Sequence, residues 1–94
     1  MMAAGIEGWV ANFPISTRSG HHYRADFAFP KRKLIIEYQS YLHEGSDKFR
    51  ADMTRVSRLQ ADEWFAMLVN VDDVRNPTEL AQRIQHILDQ RPYF

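Results

Sequence analysis

Residues 23–29 and 34–40, YRADFAF and LIIEYQS, each mix apolar and polar positions in the manner of an extended strand with two distinct faces. Between them Pro30-Lys31-Arg32-Lys33 reads as a short turn. Setting Phe29 across that turn from Leu34 fixes the register. Asp26 then stands opposite Glu37, with Cβ atoms roughly 4.5–5.5 Å apart. Gln39 shares the face of Glu37, because strand side chains alternate with a period of two. Phe27, Phe29, Leu34, Ile36 and Tyr38 take the other face, an apolar surface suited to packing.

The flanking pattern extends this pair. Residues 1–8 are small and glycine-punctuated, which predicts a flexible lead-in. Residues 9–17 read as a strand, with Pro14 placing it at a sheet edge. Arg18-Ser19-Gly20-His21 supplies the turn into the central strands, giving a three-stranded meander. Ser46 is a candidate N-cap, with Asp47 in the first turn of a helix running to about Glu63. Phe49, Met53, Val56 and Leu59 recur along it as one apolar stripe, the pattern of core packing.

Residues 64–71, WFAMLVNV, suit a strand buried on both faces in parallel pairing, which makes a right-handed βαβ unit. Asn76, Pro77 and Glu79 mark the start of a last helix, striped by Leu80, Ile84, Ile87 and Leu88 and ended by Pro92. The predicted order is βββαβα: an α/β (α+β) domain over residues 9–94 with a mixed four-stranded sheet.

Ninety-four residues allow one core. A 45% hydrophobic and 13% aromatic content suffices to pack helices on a sheet. The formal net charge is zero, so any nucleic-acid contact must come from a local patch. Absence of cysteine excludes disulfides, thiolate metal sites and cysteine nucleophiles. No apolar run approaches a membrane span, and the first residues lack the basic and apolar regions of a secretion signal. A soluble cytoplasmic domain with no membrane partner is the expectation.

The facing acids carry the candidate chemistry. Like charges opposed on a sheet destabilise it unless water separates them, a proton is shared or a cation is held between them. Mg²⁺ prefers carboxylate oxygens, and a metal with open positions activates water and clamps phosphate. The plainer alternative is a solvated sheet end with no such role. His21 and His22 are adjacent, so on a strand they point apart and do not converge on one ion. Lys31-Arg32-Lys33 is either a solvated turn or a phosphate grip. Lys48, Arg50, Arg55 and Arg58 give the first helix a basic side, and Asp52 with Arg55 forms an i,i+3 ion pair on it. His43 follows Gln39 by four residues, near enough to return to the acidic face through a loop.

An acid on the second strand, E-x-Q on the third, then a helix and a buried strand resembles the core of the PD-(D/E)xK nuclease superfamily. ADFAFP, LIIEYQSYLH and FRADMTRVSRLQADEW are similar to the small very-short-patch-repair-like endonuclease domains, over about residues 9–90. The resemblance implies a restriction-endonuclease-like core with Asp26 and Glu37 binding Mg²⁺ or Mn²⁺. It places Gln39 where lysine is more usual, His43 where a histidine positions water, and Asp52 with Arg55 as the helical brace. Three departures stand out: Ser40 and Glu63 replace glycines, and the helix that precedes the first strand in relatives has no counterpart before Trp9.

The resemblance and the facing acids together imply a metal-dependent DNA endonuclease with catalytic Asp26, Glu37, Gln39 and His43, and with Lys31, Arg32, Lys33, Lys48 and Arg58 on the DNA backbone. The alternative is a catalytically degenerate nuclease fold that binds DNA or a protein partner. In that case a homodimer or a separate chain covers the sheet face left open.

Overall fold

The computed structural model describes residues 6–39 and 47–92. The central hairpin forms as its pattern requires. Strand β1 (Val10–Ser16) pairs antiparallel with β2 (His22–Phe29), and β2 pairs antiparallel with β3 (Leu34–Tyr38). Between β2 and β3 the chain makes one 3₁₀ turn (Pro30–Arg32), closed by Lys33 in the left-handed region at φ 50°. Phe29 faces Leu34, as read from the sequence.

Helix α1 (Asp47–Ala61) leads to β4 (Phe65–Val69), which lies parallel to β3, so the sheet order is β1-β2-β3-β4. Two further helices follow, α2 (Val71–Arg75) and α3 (Pro77–Gln90). The described residues thus form an α+β fold with a four-stranded mixed sheet and three helices.

Both sheet faces are covered in part. On one, Leu59 of α1 packs on Ile15, Ala25, Ala28 and Ile35, with Phe13, Tyr23, Trp64 and Ala66 around them. On the other, Leu80, Ile84 and Leu88 of α3 pack on Phe29, Leu34, Ile36, Met67 and Val69. The spacing of four in the α3 residues is one helical face, and it is the face that is buried.

The strand β2 changes phase along its length. Tyr23 and Ala25 pack on the α1 side, yet so does Ala28, while Phe27 and Phe29 pack on the α3 side. The irregularity falls at Asp26, whose expected neighbour Asn12 has φ 52° and drops out of the β1–β2 ladder. Asparagine tolerates that left-handed geometry better than most residues.

Several expectations need correction. Ile6 belongs to the α3-side core at 8% exposure, and residues 1–5 of the expected lead-in lie outside the described residues. The run 64–71 does not make a doubly buried strand: β4 is a sheet edge, and Phe65 and Leu68 are each 43% exposed. A continuous apolar run carries no mark of whether a second neighbour strand exists. Val71 starts α2 instead of ending β4, because Asn70 and Asp73 form a reciprocal capping box. The α1 stripe is not core either. Only Leu59 of its four members is buried, and Met53 is 59% exposed. The helix presents Asp52, Arg55 and Leu59 to the sheet. Just past its end, buried Asp62 accepts the Arg18 backbone N–H at 2.8 Å.

Candidate functional site

Asp26 and Glu37 approach each other where β2 and β3 part. Their ladder ends at Phe27 and Ile36, and the Asp26 carboxylate itself accepts the Tyr38 backbone N–H at 2.9 Å. Asp26 and Glu37 come one step past that ladder in the expected register, and the Asp26–Tyr38 bond closes this end of the pair. Beyond it, Gln39 donates its backbone N–H to Val69 O at 2.8 Å, which extends the β3–β4 pairing and fixes where Gln39 leaves the sheet.

Glu37 is 8% exposed. Burial pushes its carboxyl pKa above the usual range, and the nearby Asp26 and Asp52 charges push the same way; the Arg55 hydrogen bond and charge pull back without cancelling the rise. Arg55 donates through Nη1 to Glu37 Oε1, and its Nε lies 3.5 Å from Asp52 Oδ1. Burial works against the guanidinium charge, but Glu37 and Asp52 outweigh it and hold the Arg55 pKa above its ordinary value. The guanidinium also lies over the Tyr23 ring, 5.9 Å from the centroid. Asp52 Oδ2 is buried with no hydrogen-bond partner among the described residues. Such an orphaned oxygen costs about 1–3 kcal/mol and suits a water or cation.

These groups line one open cleft of about 220 Å³, bounded by Tyr23, Arg24, Asp26, Glu37, Tyr38, Gln39, Lys48, Asp52 and Arg55. The sequence-predicted Asp26, Glu37, Gln39, Asp52, Arg55 and Lys48 are thus brought together. His43 and Ser46 lie outside the described residues. Among the described residues, no group of three or more His, Asp or Glu side chains converges as a metal cage. Of the three cleft carboxylates, the strand pair Asp26 and Glu37 each have one oxygen engaged by a protein donor. Carboxylate oxygens are the donors that Mg²⁺ and Mn²⁺ prefer, and such ions are held by one or two carboxylates with water at the remaining positions.

The basic turn sits elsewhere. Lys33 immediately precedes β3, roughly 13 Å from Glu37 along the strand. Arg32 donates to Leu88 O and, at 2.7 Å, to Arg91 O, capping the C-terminal end of α3. Lys33 Nζ donates to Asp62 O at 3.0 Å. Lys31 lines a separate hollow with Ile6 and Gln85. Arg58, one turn beyond Arg55, donates to the Tyr23 hydroxyl at 3.1 Å. His21 stacks on Tyr23, and His22 shares a hydrogen bond with Ser16, in keeping with turn-flanking roles.

Sequence reading missed Tyr23, Arg24 and Tyr38 as cleft residues. The β2–β3 ladder ends at Phe27 and Ile36, so strand register carries no signal for Arg24.

No family model matches the chain, and no solved structure matches it. Two uncharacterized proteins of Mycobacterium tuberculosis, one from each of two strains, are 40% identical to it over 80 residues. That match takes in 83% of this chain but 30% of each relative, so the chain spans about a third of the length of the curated relatives it matches.

Proposed function

We propose that the chain is a restriction-endonuclease-like core that hydrolyses DNA phosphodiester bonds with Mg²⁺ or Mn²⁺. The observation that carries this reading is the convergence of Asp26, Glu37, Gln39 and the Asp52–Arg55 brace on one cleft, from three separate elements. Asp26 and Glu37 would hold the ion; when bound it supplies a water of lowered pKa and a positive charge for phosphate oxygen. Arg55 aims Glu37 and spares it full like-charge repulsion. Gln39, as a neutral amide, orients water or phosphate through hydrogen bonds. DNA is the substrate in this reading, with Lys48 at the cleft rim.

The test is cleavage of end-labelled oligonucleotide duplexes in Mg²⁺, in Mn²⁺ and in a chelator. The expected result is metal-dependent strand breakage reduced at least a hundredfold in Asp26→Ala. Equal breakage by the variant, or breakage in chelator, excludes the reading.

A second reading, a nuclease fold used only for binding, is favoured by a different feature. Phe27, Ile36, Tyr38, Val69, Val71 and Val74 line an apolar hollow of about 350 Å³ beside the cleft, and Tyr38, Val71 and Val74 are exposed. Such a face suits a second copy or a partner chain. Light scattering at micromolar concentration should then give a dimer mass; a monomer removes the homodimer version.

A further inference from the structure

A cleft holding three carboxylates, Asp26, Glu37 and Asp52, repels a nucleic-acid backbone unless cations line it too. Arg55 is committed to two of those carboxylates. Lys48, at the first turn of α1, is also engaged with other groups. Arg24 differs from both. It lines the cleft and is exposed, and its side chain makes no hydrogen bond or ion pair with any described residue. It stands two residues before Asp26 on β2 and lines the same cleft as Gln39.

Gln39 is where the missing charge would be needed, because an amide cannot neutralise a phosphate. We propose that Arg24 is the phosphate-contacting cation of this cleft, gripping the nucleic-acid backbone beside the Asp26–Glu37 pair. The inference rests on the nucleic-acid reading above and adds to it a residue and a role. A guanidinium suits such a contact, since its planar fork donates two parallel hydrogen bonds to phosphate oxygens and keeps its charge at all working pH. No described residue pairs with its side chain, so among the described residues it has no internal partner to lose on entering the complex.

Binding is measured by anisotropy of a fluorescent DNA duplex in chelator, from about 20 to 200 mM salt, alongside the cleavage assay. Arg24→Gln is compared with wild type, with Arg24→Lys and with Arg18→Gln, which removes an equal charge from the exposed turn preceding β2. The expected result is about tenfold weaker binding in Arg24→Gln, with the logarithmic salt slope shallower by about 0.9. Arg24→Lys should recover most of the affinity, and Arg18→Gln should stay near wild type. If wild type fails to cleave DNA but binding still depends on Arg24, the nuclease reading falls and the phosphate contact stands. Arg24→Gln indistinguishable from wild type or from Arg18→Gln, or no binding by wild type at the lowest salt, overturns the assignment.

Discussion

Glu37 shows how the burial of one carboxylate ties stability to pH. Its folded pKa is raised, so the folded state holds its proton more tightly than the unfolded chain does. The linked stability is present below the unfolded value near 4.5 and is lost as pH rises through the folded value. Melting of wild type and Glu37→Gln across pH 4–8 checks the sign: the stability of wild type relative to the variant should fall as pH rises, and added Mg²⁺ should restore part of it. A rising difference would contradict the burial account. Glu63 carries a separate strain, at φ 70° just beyond α1. Its backbone N–H donates to Gln60 O, so the position is a helix C-terminal cap. Glu63→Gly should raise stability by roughly 0.5–1 kcal/mol, since glycine adopts this geometry without a Cβ clash. A melting temperature several degrees higher confirms it.

Among the elements, the hairpin was legible and the α1 face was not. Turn length and alternation fix which residues of β2 and β3 meet, and Phe29 with Leu34 followed directly. The Phe49–Met53–Val56 stripe had the right period for burial, yet the polar line through Asp52 and Arg55 faces the sheet because Glu37 supplies the partner there. Periodicity reports that a helix has faces without saying which one a distant carboxylate will claim. Phe49, Met53 and Val56 instead border a groove with Leu68 at the β4 edge. The short α2 was readable from Asn70 and Asp73, but five residues fall below the length at which a periodic pattern shows. Its cap predicts that Asn70→Ala destabilises by about 1 kcal/mol in denaturant titration, as the side chain accepts from both Asp72 and Asp73 N–H groups.

At the scale of the whole molecule, the sheet holds its candidate chemistry at one end and its basic turn at the other. The cleft forms where β2 and β3 part, beside the parallel β3–β4 pair, while Arg32 and Arg91 tie the far end to α3. Asp26, Glu37 and Gln39 could be placed from strand register alone, whereas Arg24 and Tyr38 needed the three-dimensional edge of the cleft. The described helices include none long and apolar enough to cross a membrane. The long mycobacterial relatives carry most of their length outside the matched part. The central claim is that this core cuts DNA through the Asp26–Glu37 pair. Nicking of supercoiled plasmid by the purified chain in Mg²⁺ or Mn²⁺, beside Glu37→Ala prepared identically, tests it most directly. The account predicts metal-dependent conversion to open circles by wild type and none above background by a folded Glu37→Ala. No nicking by either protein in either metal, or equal nicking by both, contradicts it.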